Sequence, residues 1–120
     1  MADILVVDDE DALRRLIARI LRGAGHAVRE AADAKEAVAH FDQRIPAVLI
    51  TDIVQPAQEG IETIVELRRE MPDIPILAIS GGGGVHPHLT KGGGIASLAK
   101  PFSADELVSA VTKLIGGRTG

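Results

Sequence analysis

The 120-residue sequence contains no cysteine, tryptophan or tyrosine, and only two phenylalanines. Without cysteine, disulfides, zinc–thiolate centres and thiol nucleophiles are excluded. Two aromatics are too few for the stacking platforms that hold single-stranded nucleic acid. An excess of positive charge is also missing: 13 Lys plus Arg stand against 17 Asp plus Glu, for a net charge of −4. Non-specific nucleic-acid binding needs a basic footprint, so no nucleic-acid partner is expected. No apolar run approaches the roughly 20 residues of a membrane helix. Met1-Ala2-Asp3-Ile4 lacks the basic start of a secretory signal. A cytoplasmic location without a membrane partner is therefore expected. The length predicts a single domain over residues 1–120, large enough to bury its own core and with no room for an output domain.

Short apolar runs alternate with helical patterns along the chain. Ile4-Leu5-Val6-Val7, Ala47-Val48-Leu49-Ile50-Thr51 and Ile74-Pro75-Ile76-Leu77-Ala78-Ile79 read as strands buried on both faces. Ala27-Val28-Arg29-Glu30 is short and half polar, as an edge strand would be, and Ile95–Ala99 reads as a fifth strand. Between them, Leu13, Leu16, Ile17, Ile20 and Leu21 recur at helical spacing up to the stop signals Gly23 and Gly25. Asp33 with Glu36, and Ser103 with Glu106, have the spacing of capping boxes opening helices that carry Phe41 and Leu107 respectively. Ile61, Ile64, Val65 and Leu67 form a further helical stripe ending before Pro72. Residues 81–94 hold seven glycines in fourteen positions and resist assignment. Strict alternation of strand and helix predicts an α/β fold, a doubly wound parallel sheet with right-handed crossovers.

In such sheets ligands bind at the carboxyl ends of the strands. The flavodoxin-like strand order 2-1-3-4-5 suits the polar second strand, which then lies at an edge. It makes the first and third strands neighbours, so Asp8, Asp9 and Asp52 converge, flanked by Ser80 and Lys100. Carboxylates brought together must raise a pKa or hold a cation. An all-oxygen set suits Mg²⁺, with Mn²⁺ as a substitute, bound through one or two carboxylates plus a phosphate. A lysine and a hydroxyl beside it complete a phosphoryl site in which one carboxylate attacks phosphorus.

Five pieces in order, Val7-Asp8-Asp9-Glu10, Ile50-Thr51-Asp52, the Pro56…Gly60 turn, Ile79-Ser80-Gly81 and Lys100-Pro101-Phe102, resemble the receiver domain of two-component response regulators. The resemblance covers residues 3–116. It implies that Asp52 is the phosphoacceptor, assisted by Ser80 and Lys100. It further implies that Asp9, Asp52 and the backbone carbonyl of Val54 ligate Mg²⁺ with Asp8 close by. A histidine kinase or histidine phosphotransfer protein would donate the phosphoryl group, and a downstream protein would read it. The domain would be a phosphoacceptor, not an enzyme with an independent substrate.

Departures from the family pattern are equally visible. Gln55 and Glu59 replace the usual Met and Asp/Asn of the turn, and Ser97 occupies the place of an aromatic on the fifth strand. With no ring at Ser97, the usual coupled switch has no moving part, and the glycine-rich 81–94 segment is expected to form a short, displaced or mobile helix. These two features support an alternative reading, a constitutive protein-binding module on the same fold. By the same resemblance, Val54 and Gly82, two residues beyond Asp52 and Ser80, hold the positions that tune hydrolysis, and neither side chain can activate water. His86-Pro87-His88 lacks a third metal ligand, and Gly81–Gly84 lacks the Lys-Ser/Thr of a phosphate loop. Arg15, Arg19 and Arg22 form a stripe on the first helix, read either as a solvated face with an Asp11–Arg15 pair or as a docking surface for an acidic patch.

Overall fold

The computed structural model describes residues 2–53, 65–71, 73–80 and 95–117. The expectations for Val54, Gln55, Glu59, Ile61, Ile64 and the whole 81–94 segment lie outside the described residues. So does that for the hydroxyl of Ser80.

Five parallel strands form one sheet: β1 (Asp3–Val7), β2 (Ala27–Ala31), β3 (Val48–Ile53), β4 (Ile76–Ser80) and β5 (Ile95–Ala99), in the order β2-β1-β3-β4-β5. This is the strand order expected from the sequence. Among the described residues the helices are α1 (Asp11–Gly23), α2 (Ala34–Gln43), α3 (65–70) and α4 (Ala104–Gly117).

Strand side chains alternate between faces, so a strand covered on both sides must be apolar at every position. β1 shows this directly. Leu5 and Val7 join Leu49, Ala78, Phe41 and Leu67 in the core under α2 and α3. Ile4 and Val6 join Ile50, Leu77, Ile79, Ile17, Leu21, Leu107 and Val111 in the core under α1 and α4. Both layers exclude water, and truncating one of these Leu or Ile side chains to Ala would cost about 2–5 kcal/mol.

The capping signals act largely as read. Ser103 Oγ accepts from the Glu106 N–H while Glu106 Oε1 accepts from the Ser103 N–H, each at 3.0 Å. Asp33 Oδ1 accepts from the Glu36 N–H at 2.9 Å and starts α2. Two details differ from expectation. Gly23 stays inside α1; it is Gly25 that takes the left-handed conformation, φ 96°, while the His26 N–H donates back to the Leu21 carbonyl. That conformation strains any side chain with a Cβ, which explains the glycine there. β4 starts at Ile76, not Ile74. Pro75 has no N–H to give a ladder, although its carbonyl accepts from the Leu49 N–H.

Candidate functional site

Register sets the geometry of the site. β1 and β3 pair through Val7 and Thr51, so Asp8 and Asp52 are the next neighbours beyond that pair. Alternation puts Asp52 on the face of Val48 and Ile50, toward α1 and α4. Ala96 and Leu98 of β5 pack against that same layer, and Lys100, two residues on, follows their alternation.

The Asp52 side chain is only 1% exposed and Lys100 is 30% exposed; Lys100 Nζ donates to Asp52 Oδ2 at 2.8 Å. The other carboxylate oxygen, Asp52 Oδ1, is buried without a hydrogen-bond partner among the described residues. The peptide bond between Lys100 and Pro101 is cis.

Asp8 is held from several sides and is itself 5% exposed. Its N–H donates to the Ala31 carbonyl at 3.0 Å. Its carbonyl accepts from Arg14 Nη1 at 2.9 Å, and its Oδ1 accepts from the Glu10 N–H at 2.9 Å. Asp8 Oδ2 is a second buried oxygen without a hydrogen-bond partner among the described residues. Burial pushes the Asp8 carboxyl up to about 6; the Glu10 N–H opposes the rise, and the negative charges of Asp52, Asp9 and Glu10 add to it. Asp9 is exposed. Among the described residues no group of three or more His, Cys, Asp or Glu side chains is arranged to hold a metal ion. Two inward-facing orphan oxygens, Asp8 Oδ2 and Asp52 Oδ1, are what a hard divalent cation with a largely water-filled shell needs from a protein. In that respect the residues fit the group.

Helix capping does not account for Glu10. Glu10 stands at the N-cap of α1, yet its side chain makes no capping hydrogen bond. Ser80 closes β4 beside Ile53 of β3 and Ala99 of β5, which places its backbone at the same end of the sheet. Ser97 pairs with Ala78 in the β4–β5 ladder and is exposed.

One residue the sequence reading passed over is Arg14. Besides the Asp8 carbonyl, its guanidinium meets Glu30 Oε1 at 3.2 Å and Asp11 Oδ1 at 2.8 Å. It therefore ties the Asp8 turn to the end of β2. The expected Asp11–Arg15 pair is replaced by this Asp11–Arg14 pair. Residue 14 faces β2, where Glu30 completes its fork, whereas residue 15 lies about 100° further round the helix, toward solvent. The only available signal was the i, i+3 spacing from Asp11.

A family model described as the response regulator receiver domain matches residues 4–112. The nitrogen assimilation regulatory protein NtrX of Azorhizobium caulinodans is 38% identical over 110 residues, which are 88% of this chain and 24% of that protein. The probable transcriptional regulatory protein TcrX of Mycobacterium tuberculosis is 32% identical over 119 residues, 98% of this chain and 50% of that protein. The chain thus spans a half or less of these curated relatives. The crystal structure of the receiver domain of NtrX from Brucella abortus superposes with a TM-score of 0.82 at 35% identity, covering 95% of this chain and 98% of that one.

Proposed function

The chain belongs to the response regulator receiver domain family, and on that premise we propose that Asp52 is its phosphoacceptor. The observation that carries this reading is the asymmetry of the Asp52 carboxylate. Oδ2 is engaged by Lys100 at 2.8 Å, while Oδ1 is buried without a hydrogen-bond partner among the described residues. A carboxylate so held presents one oxygen as a nucleophile and keeps a cation beside it.

The reaction follows from that placement. One carboxylate oxygen of Asp52 attacks the phosphorus of a phosphohistidine on a histidine kinase or histidine phosphotransfer protein, and the other is left to the cation. The O–P bond forms and the P–N bond breaks; the imidazole nitrogen leaves with the bonding pair and is protonated. Lys100 neutralises charge on the transferring oxygens, and Ser80, at the end of β4, donates to the phosphoryl group. Asp9, Asp52 and the Val54 carbonyl, with Asp8 adjacent, would hold Mg²⁺ or Mn²⁺. When bound, such a cation neutralises equatorial phosphoryl oxygens. The new group adds a charge of about −1.5 to −2 between Lys100 and the acidic pair, and a downstream protein reads the resulting change in surface. In this reading the chain is a phosphoacceptor that assists its own phosphorylation, not an enzyme acting on a separate substrate.

Intact-mass measurement after incubation with acetyl phosphate and Mg²⁺ tests the assignment. The wild-type chain should gain one acid-labile phosphoryl group, and Asp52→Asn should gain none. Uptake by Asp52→Asn at the wild-type rate refutes it.

A further inference from the structure

Away from the carboxylate pair, an open cavity of about 330 Å³ lies between the outer face of α1 and β2, lined by Arg15, Arg19, Arg22 and Glu30. Three guanidinium groups face one carboxylate there, on a chain whose net charge is −4. The four side chains are not equivalent. Glu30 is fixed by Arg14 Nε at 3.2 Å. Arg22 is anchored by donating to the Val28 carbonyl at 2.9 Å and lies 3.5 Å from Glu30. Arg15 and Arg19 are exposed and make no ion pair among the described residues. Four residues apart, they project from successive turns of α1 on one side.

We infer that this cavity is a binding site for a diphosphate group, separate from Asp52. Arginine forks bind phosphate oxygens bidentately, and Arg15 and Arg19 offer two such forks at one helical turn's spacing. Arg22 and Glu30 are held by contacts of their own before the anion arrives, which lowers the entropy lost on binding. The volume lies at the lower end of small-molecule sites, about 300–1,000 Å³. Three of the four lining side chains are arginines and none is aromatic or aliphatic, so recognition rests on the charged group. A diphosphate supplies enough anionic oxygens to engage both forks at once. Its source is either free pyrophosphate or a nucleoside diphosphate.

The test is titration of the full chain with pyrophosphate and, in parallel, with ADP, followed by amide chemical shifts in low-salt buffer containing EDTA. Chelation keeps divalent cations off Asp8 and Asp52. Saturable shifts should centre on α1 and β2. The double variant Arg15→Gln/Arg19→Gln should weaken binding by about tenfold or more, equivalent to about 1.4 kcal/mol. Asp52→Asn should leave binding unchanged, which separates this site from the phosphoacceptor: a failed mass gain above leaves this inference standing, and the reverse holds too. Equal affinity for the two probes identifies the diphosphate alone as the ligand, whereas tighter ADP binding adds a nucleoside contact. Shifts that do not saturate, that persist unchanged in the double variant, or that centre on Asp52 overturn the proposal.

Discussion

Lys100 Nζ sits 2.8 Å from Asp52 Oδ2, although 48 residues separate the two in the chain. The carboxylate is almost wholly buried, while the ammonium group still touches solvent. A charge that deep is tolerated because it is paired. Removing the cation leaves Asp52 beside Asp8 with nothing to offset the repulsion. Lys100→Met should therefore destabilise the metal-free chain by about 1–3 kcal/mol, read from the midpoint of urea unfolding. It should also slow phosphorylation by acetyl phosphate by at least about tenfold, or 1.4 kcal/mol of barrier. Unfolding and phosphorylation both at wild-type level would show that the ion pair does neither task.

Asp8 gives the opposite sign. Its carboxyl is raised from 3.8 to about 6, chiefly by burial, so the folded state holds the proton to higher pH than the unfolded state does. Stability contributed by this group is present at low pH and is lost as pH rises from about 4 to about 6. That rise in pKa corresponds to about 3 kcal/mol. Asp8→Asn keeps the acceptor for the Glu10 N–H but carries no charge. In the absence of divalent cations it should be more stable than wild type at pH 7 and equal to it near pH 4. Unfolding curves at the two pH values in EDTA check this, and a wild-type advantage at pH 7 would contradict it.

What the sequence made legible follows from how the molecule is layered. β1, β3 and β4 are apolar at nearly every position because two helical layers cover them, so their runs could be read without alternation. Parallel order then brought Asp8 and Asp52 together, since both follow those runs at the same end of the sheet. Choices that depend on rotation about a helix were not legible. Whether Asp11 pairs with residue 14 or residue 15 turns on which side of α1 faces Glu30, and that is a tertiary fact. Gly23 and Gly25 are two identical stop signals in sequence, and only the backbone path into β2 decides which one turns left-handed. The paired state of Lys100 likewise depends on β5 lying beside β4, two strands from Asp52.

Arg14 offers a separate test, since it contacts the carbonyl of Asp8 and not its carboxylate. Arg14→Ala leaves Glu30 with the longer Arg22 contact and removes the side-chain tie between the Asp8 turn and β2. A loss of about 1–2 kcal/mol of stability is expected. Phosphorylation should slow as well, because the turn that positions Asp8 is then held to β2 by its backbone bond to Ala31 without the Arg14 brace. Arg14→Lys, which keeps charge but not the fork, should recover less than half of the lost rate. Full recovery by lysine would mean that charge alone suffices.

The last prediction concerns the two orphan oxygens, Asp8 Oδ2 and Asp52 Oδ1. A buried acceptor with no donor costs free energy in the folded state, and a cation that binds only the folded state recovers it by mass action. Mg²⁺ should therefore raise the stability of the wild-type chain at pH 7, by about 1.4 kcal/mol at ten times its dissociation constant. Asp8→Asn should lose most of that gain and Asp52→Asn should lose it as well, though each removes a different oxygen. Ser103→Ala is the matched control. It breaks the capping box of α4 and should cost about 1 kcal/mol, yet keep the full response to Mg²⁺. Melting temperatures of the four proteins across a Mg²⁺ series decide the matter. An equal gain in all four would place the cation elsewhere on the surface and detach it from Asp8 and Asp52.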